Sequence, residues 1–255
     1  MQLAPDVQQQ ACTLSNPVAL EKSSLKVTPC RDADRLAVSF VINASTACAV
    51  TVLFCAEEAL DEDGLTAAYT SAVPYTTRRV VVPKGMGQRY PPEGAADVVF
   101  DLVMFPPDLP YSKASVIPIV VVLESVEDSD VGTDEPVEMS PTGWNRREHL
   151  DSVVHATHAT LLRGASSRSP PAVGIIRQRL QFERRSLTLQ ELFGGEHAPT
   201  SPGSPGPEEE RQEVCVICMT EACTVAVMPC RHVCLCRECA NQWRVRTNTC
   251  PICRS

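Results

Sequence analysis

Eight residues near the C-terminal end carry side chains that bind zinc, and they follow one another at short intervals. They are Cys215, Cys218, Cys230, His232, Cys236, Cys239, Cys250 and Cys253. Thiolate sulfur and neutral imidazole are ligands that zinc prefers, and a Cys-x2-Cys gap lets one tight turn present both sulfurs to the same ion. Eight ligands make two four-ligand sites, so we predict two bound zinc ions.

A four-ligand site leaves no coordination position for a substrate, so the predicted zinc ions are structural and not catalytic. A segment of roughly 40 residues can hardly fold on an apolar core alone, and metal binding would supply that stability. Two sequential zinc knuckles and a set of redox dithiols are the alternative interpretations. Cys234 is a rival ligand to Cys236, although choosing it spoils the gap to Cys239, and we treat Cys223 and Cys234 as packing residues.

The chain ahead of these residues has the composition and periodicity of β-structure. Of the 255 residues 44% are apolar but only 5% aromatic, and 21 are prolines, which favours strands with long irregular connections. Leu36, Val38, Phe40 and Ile42 alternate with small or polar residues, as in a half-buried strand. The run from Val116 to Leu123 is continuously apolar, as in a strand buried on both faces. We predict a mainly β N-terminal domain, either an antiparallel sheet or a sandwich.

Proline, glycine and acidic stretches suggest the domain boundaries. Segment 175–189 alternates like an edge strand, and 190–193 is predicted to be a short helical turn. The organisation we predict is a flexible N-terminus at 1–23, a β-rich partner-binding domain at 24–195 with an acidic loop at 124–143, a Pro/Gly-rich linker at 196–213, and a zinc module at 214–255 with one short helix.

Charge and hydropathy exclude two classes of partner. The chain has 31 acidic and 23 basic residues, so it lacks the basic surface that nucleic acid requires, and we expect no nucleic-acid partner. The apolar run from Val116 to Leu123 is too short to span a bilayer, and the N-terminus lacks the pattern of a secretory signal. The 13 cysteines suit a reducing compartment. We therefore expect a cytoplasmic protein without membrane insertion.

The ligand spacing carries a resemblance to a known family. From Cys215 the gaps are x2, x11, x1, x3, x2, x10 and x2, and the segment CVICMTEACTVAVMPCRHVCLCRECANQWRVRTNTCPICR resembles a RING finger of the three-Cys, one-His, four-Cys kind. In that family the ligands interleave. The resemblance therefore implies that Cys215, Cys218, Cys236 and Cys239 hold one zinc while Cys230, His232, Cys250 and Cys253 hold the other.

RING domains that act as ubiquitin ligases share further residues, and this sequence has them. By resemblance, Ile217, Trp243 and Pro251 would form a shallow apolar groove that binds a ubiquitin-conjugating enzyme. Arg254 resembles the cation that bridges the conjugating enzyme and ubiquitin, a task that suits the planar guanidinium fork. The alternatives are that Ile217 and Trp243 are core residues of a very small domain and that Arg254 is incidental.

Two further segments are similar to the mahogunin family of ubiquitin ligases. They are IIRQRLQFERRSLTLQELFG, from Ile175 to Gly194, and MPCRHVCLC, from Met228 to Cys236. The resemblance implies a RING-type ubiquitin ligase whose β domain selects an unknown protein substrate and whose partner supplies the catalytic cysteine. Two alternatives stay open: a non-catalytic adaptor that uses the zinc module for dimerisation, and a scaffold whose function lies in the β domain.

Overall fold

The chain folds as two compact units, Met1–Leu189 and Gln190–Ser255. The computed structural model describes residues 16–31, 34–60, 67–96, 98–102, 116–141, 152–162, 172–182, 185–190, 192–194, 214–247 and 249–254. No helix within these ranges is long and apolar enough to cross a membrane. The predicted linker 196–213 lies outside the described residues.

Strands make up nearly all the regular structure of the first unit. They are β1 (Val18–Leu20), β2 (Lys26–Pro29), β3 (Arg35–Ala44), β4 (Ala47–Leu60), β5 (Ala67–Thr70), β6 (Tyr75–Val82), β7 (Gly85–Tyr90), β8 (Val98–Asp101), β9 (Val116–Val126), β10 (Asp134–Met139), β11 (Val154–Leu162), β12 (Ala172–Phe182) and β13 (Arg185–Leu189). Single 3-10 turns occur at Lys22–Ser24 and Asp128–Asp130. The prediction of a mainly β N-terminal region is confirmed.

The strands form two antiparallel sheets. In the smaller sheet β3 is central: β2 and β8 pair with its first half, and β1 and β7 pair with its second half. The larger sheet has the order β10-β6-β4-β9-β11-β12-β13, with β5 also pairing with β4. The two sheets share one apolar core, in which Phe54 of β4 meets Phe100 of β8 edge to face at 5.2 Å between ring centroids. The arrangement is therefore a β-sandwich.

The two sequence patterns that predicted strands have a direct counterpart in burial. Leu36, Val38 and Phe40 of β3 point into the shared core, while the residues between them are partly exposed. In β9 one face contributes to the shared core and the other to a second apolar cluster on the opposite side of the same sheet. The continuous apolar run in β9 is thus explained by burial on both faces.

The predicted acidic loop at 124–143 differs from the structure, which has strand over much of this stretch. β9 continues to Val126, and β10 pairs with β6. The acidic side chains face arginines of β6: Arg78 Nε lies 2.6 Å from Asp134 Oδ1, and Arg79 Nε lies 3.0 Å from Glu124 Oε2. Cross-strand pairing therefore accommodates the charges that suggested a solvated loop.

Two other boundaries also differ from the prediction. The stretch 1–23 was predicted to be flexible, but β1 pairs with β3 because Val18 and Leu20 are buried in the sandwich core. Segment 175–189 is not one edge strand: β12 and β13 form an antiparallel pair, with β13 at the edge of the larger sheet. Residues 1–23 show no period that would have predicted β1, and the alternation in 175–189 did not give the pairing of β12 with β13.

A buried ionic cluster lies on the larger sheet. Glu58 of β4 is contacted by two arginines of β12, Arg177 and Arg179, with Arg179 Nε 2.9 Å from Glu58 Oε1. Arg177 Nε donates to His158 Nδ1 at 2.8 Å, and His158 Nε2 lies 2.8 Å from the Tyr69 hydroxyl. Because an arginine can only donate, the proton of the neutral imidazole is on Nε2. This network ties β4, β5, β11 and β12 together.

Two buried histidines of β11 are expected to make the first unit sensitive to acid. Burial, followed by the charge of Lys22, lowers the pKa of His155 to about 4. Burial, followed by the charges of Arg177 and Arg179, lowers the pKa of His158 to about 3. Because both pKa values lie below the unfolded value of about 6.5, the unfolded chain binds protons first as pH falls. Stability is therefore full above pH 6.5 and is lost as pH falls toward 4.

The expected loss is about 4 kcal/mol of unfolding free energy between pH 7 and pH 5, since each histidine contributes about 1.4 kcal/mol per pH unit below 6.5. Urea unfolding followed by circular dichroism at several pH values measures it. The variant His155→Gln, which lacks one of the two titrating rings, should show about half the dependence. Equal urea midpoints for the wild-type chain at pH 7 and pH 5 would contradict the prediction.

Candidate metal centre

The described part of the second unit contains a short hairpin and one helix. β14 (Val225–Val227) pairs antiparallel with β15 (His232–Leu235), and α1 (Arg237–Arg246) follows directly. The buried core is small and consists of Leu235 and four cysteines, with Trp243 and other half-buried residues packed against it. Such a core is too small to account for a stable fold by apolar burial alone.

One group of four cysteines has the geometry of a tetrahedral zinc site. The sulfurs of Cys215, Cys218, Cys236 and Cys239 all lie within 4.8 Å of one another. The Sγ atoms of Cys218 and Cys236 are 3.9 Å apart. Two sulfurs bound at about 2.3 Å to a tetrahedral zinc are separated by about 3.8 Å. This group therefore fits zinc, and it joins two Cys-x2-Cys pairs that are well separated in sequence.

The second group contains three cysteines and one histidine. Cys230, His232, Cys250 and Cys253 offer ligand atoms within 4.8 Å of one another. The Nδ1 atom of His232 faces the group, 3.7 Å from Cys250 Sγ. The two groups are the sets that the RING resemblance implies, and they alternate along the chain. Sequential knuckles would instead have grouped Cys215 and Cys218 with Cys230 and His232.

Tight turns present the cysteine pairs at each end of the module. After Cys218 the chain turns at Met219, which has φ +57° and whose N–H donates to the Cys215 carbonyl at 2.8 Å. Arg254 repeats this geometry after Cys253: it has φ +61°, and its N–H donates a hydrogen bond to the Cys250 carbonyl at 2.8 Å. A positive φ is uncommon for residues other than glycine. The metal-binding turns therefore impose the same left-handed conformation on two non-glycine residues.

The start of α1 places the middle pair of cysteines. Cys236 is the N-cap residue, with extended backbone, and its sulfur accepts from the Cys239 N–H at 3.5 Å. Because the two residues stand one helical turn apart, both sulfurs lie at the same end of the helix. The helix thus supplies half of the first group.

The thiols of Cys218, a member of the first group, and of Cys234 have pKa values shifted in opposite directions. A side-chain hydrogen bond from Thr220, followed by the backbone N–H groups of Glu221 and Thr220, lowers the pKa of Cys218 to about 6. This favours the thiolate, which is the form that binds zinc. Burial raises the pKa of Cys234 to about 12, and Cys234 belongs to neither group. None of the cysteines in the described ranges forms a disulfide.

The four residues predicted to face a conjugating enzyme are spread over three elements. Ile217 lies in the first cysteine turn and is 43% exposed. Trp243 lies in α1, is half-buried, and donates from Nε1 to the Thr249 carbonyl at 2.8 Å. Pro251 lies in the last cysteine turn and is half-buried, and Arg254 is exposed. Trp243 therefore links the helix to the chain that enters the last turn.

Sequence reasoning missed one contact of the second group. The segment Leu192–Gly194, which we term the strap, lies beside β15 and forms a parallel bridge between Phe193 and His232. The prediction of a helical turn over 190–193 therefore differs from the structure, although Glu191 lies outside the described residues. Gly194 has φ +84°, a conformation in which glycine is favoured.

Two family models match the chain. The model described as zinc finger, C3HC4 type (RING finger), matches residues 211–255. The model described as RNF157-like N-terminal domain matches residues 18–143. The first covers both metal groups and the second covers most of the sandwich from β1 to β10. No solved structure matches the chain.

Two plant relatives align with most of this chain, and a human relative aligns with about a third of it. It is 28% identical to the Probable E3 ubiquitin-protein ligase LOG2 of Arabidopsis thaliana, over 96% of this chain and 60% of that protein. It is 30% identical to the Probable E3 ubiquitin-protein ligase LUL1 of Arabidopsis thaliana, over 97% of this chain and 65% of the relative. It is 36% identical to the E3 ubiquitin-protein ligase MGRN1 of Homo sapiens, over 31% of this chain and 15% of that protein. The chain thus spans less than two thirds of the plant relatives' length.

Proposed function

We propose that this chain, which belongs to the mahogunin-like family of RING-finger proteins, is a RING-type ubiquitin-protein ligase. It would bind a ubiquitin-charged conjugating enzyme and promote the transfer of ubiquitin to a lysine of a protein substrate. The observation that carries the proposal is the alternation of the two metal groups along the chain. The names of the plant and mammalian relatives support it.

Because the ligands of the two metal groups alternate along the chain, the groups connect the three elements that would bind the conjugating enzyme. The first group joins the turn that bears Ile217 to the start of α1, and the second group fixes the turn that bears Pro251. Trp243 lies between them on α1. An exposed isoleucine, a half-buried indole and a half-buried proline are side chains suited to a small apolar contact with another protein. When bound, each zinc supplies structural cross-links between these elements.

In the proposed reaction Arg254 acts as a bridging cation. Its guanidinium can donate several hydrogen bonds in one plane, so it can contact carbonyl groups of the conjugating enzyme and ubiquitin together. The substrate lysine attacks the thioester carbonyl, an isopeptide bond forms, and the conjugating enzyme's cysteine leaves as the thiol. Holding the thioester in one geometry lowers the entropy cost of that attack. No covalent intermediate forms on this chain.

The sandwich is the proposed site of substrate or partner recruitment. We retain the proposed division into a β-rich domain at 24–195, a linker at 196–213 and a RING at 214–255, although the contacts place the change of unit between Leu189 and Gln190. The RNF157-like match supports a recruiting role because it is separate from the RING match. The absence of disulfides among the described cysteines supports a cytoplasmic location.

Self-ubiquitination tests the proposed activity. The full chain, purified with two zinc ions, is incubated with activating enzyme, a panel of conjugating enzymes, ubiquitin and ATP. We expect at least one conjugating enzyme to give ubiquitin chains that depend on this protein. A zinc-loaded chain that supports no transfer with any member of the panel would favour the adaptor function instead.

A further inference from the structure

We propose that the strap is a structural element of the zinc module and that its residue Phe193 is a positioning residue for the second zinc site. The inference rests on contacts within the second unit and does not require that the chain be a ligase. It concerns a segment that precedes the RING-matching residues, which begin at residue 211.

The strap holds the backbone on either side of a metal ligand. The Phe193 N–H donates to the Arg231 carbonyl at 2.9 Å, and the Val233 N–H donates to the Phe193 carbonyl at 2.7 Å. These two hydrogen bonds bracket His232, which the hairpin pairs with Val227 on its other edge. The backbone of His232 is therefore held between two neighbouring chain segments.

The Phe193 ring adds a second constraint on the same residue. Its centroid lies 5.9 Å from that of the His232 imidazole, and the rings are tilted by 47°. The Arg231 guanidinium lies over the Phe193 ring at 5.2 Å from the centroid. Arg231 itself adopts φ +65°, and its N–H donates to the Val227 carbonyl at 2.7 Å. One aromatic ring thus contacts both residues of the sharp turn that presents His232.

Orientation of a ligating imidazole is important because one specific nitrogen must face the metal. Here Nδ1 of His232 faces Cys250 in the second group. Hydrogen-bonding partners that fix the ring of a metal-bound histidine commonly contribute ten- to a hundredfold to metal affinity, and we expect a packed aromatic ring to act at the low end of that range. The Phe193 ring is in the position to make such a contribution, since it packs against the imidazole while Cys250 lies near Nδ1.

The strap also contributes to a cavity of the zinc module. Gly194 and Val214 both line one cavity of about 380 Å³, together with His232, Val233 and Ile252. Strap residue Gly194 and Val214, which precedes Cys215, therefore lie on the same cavity of the zinc module.

Release of zinc from the full chain tests the role of Phe193. Protein with two zinc ions is mixed with an excess of chelator, and the ions released are counted against time. Substitution of cobalt for zinc identifies the site that empties, because four thiolates and three thiolates plus an imidazole give different spectra. We expect Phe193→Ala to release one ion about tenfold faster than the wild-type chain and the other ion at the unchanged rate.

Two variants serve as controls. Leu192→Ala changes the neighbouring strap residue, whose side chain is 55% exposed, and should release both ions at the wild-type rate. Phe193→Tyr keeps the aromatic ring at a residue that is 44% exposed, and should retain slow release. Wild-type rates for both ions in Phe193→Ala would overturn the proposal. Equal acceleration of both ions would overturn it as well, because the hydrogen bonds and ring contacts described for Phe193 are with Arg231, His232 and Val233, at the second group.

These outcomes are separate from the outcome for the proposed function. A wild-type chain that supports no ubiquitin transfer would refute the ligase proposal. The positioning role of Phe193 would still be decided by the zinc release rates of Phe193→Ala. Conversely, an active ligase with unaltered zinc release in Phe193→Ala would refute only the role of the strap.

Discussion

Replacing Cys236 by serine is expected to remove at least one zinc ion and the fold of the zinc module with it. The Cys236 sulfur lies 3.9 Å from that of Cys218 and also caps α1 by accepting from the Cys239 N–H. A serine hydroxyl does not replace a thiolate as a structural zinc ligand. Zinc binding supplies about 10–16 kcal/mol of folding free energy in zinc-finger peptides. The remaining core is too small to offset such a loss.

Metal content per chain and the circular dichroism of the purified variant measure this effect. Zinc should fall from two ions per chain to one or fewer, and ubiquitin transfer should be lost. The matched control is Cys234→Ala, which removes a buried thiol two residues away that belongs to neither metal group. It should retain two zinc ions. Loss of zinc from Cys234→Ala with retention in Cys236→Ser would instead make Cys234 the ligand.

The variant Arg254→Gly is expected to lower ubiquitin discharge from a charged conjugating enzyme by ten- to a hundredfold while keeping both zinc ions. A reduction of this size corresponds to the loss of charge-assisted hydrogen bonds worth roughly 1.5–3 kcal/mol. Glycine is the suitable replacement because Arg254 has φ +61°, a conformation that glycine adopts without strain. The last metal-binding turn is thus preserved and only the guanidinium is removed.

Two comparisons give this experiment its specificity. Arg237→Ala removes an exposed arginine at the start of α1 and should leave discharge unchanged. Ile217→Ala should weaken binding of the conjugating enzyme and raise its KM, whereas Arg254→Gly should chiefly lower the maximal rate. If Arg254→Gly with two bound zinc ions discharges ubiquitin as fast as the wild-type chain, the bridging role is excluded.

The sequence predicted those features that depend on local spacing. The alternation in β3 gave its buried face, and the unbroken apolar run in β9 gave burial on both sides. The cysteine spacing, through its resemblance to RING fingers, gave the composition of both metal groups. In each case one short stretch of residues carries the whole signal, so no knowledge of the pairing partners was needed.

Features that depend on distant partners were not predicted. The acidic residues of β10 suggested a loop because their partners on β6, such as Arg78, are far away in sequence. The strap was missed for the same reason, since nothing near Phe193 indicates that it pairs with His232. Met219 and Arg254 adopt a left-handed conformation although neither is a glycine, so their residue types did not indicate these turns. The period of apolar residues identifies the buried face of a strand, but the tertiary fold decides which strands pair with it.

The most direct test of the account is single-turnover discharge of ubiquitin from a charged conjugating enzyme to free lysine. The reaction needs no substrate and isolates the step proposed for the zinc module. We predict that the full chain with two zinc ions accelerates discharge and that removal of zinc by chelation abolishes the acceleration. Discharge at the same rate with and without the zinc-loaded chain, for every conjugating enzyme of the panel, would contradict the account.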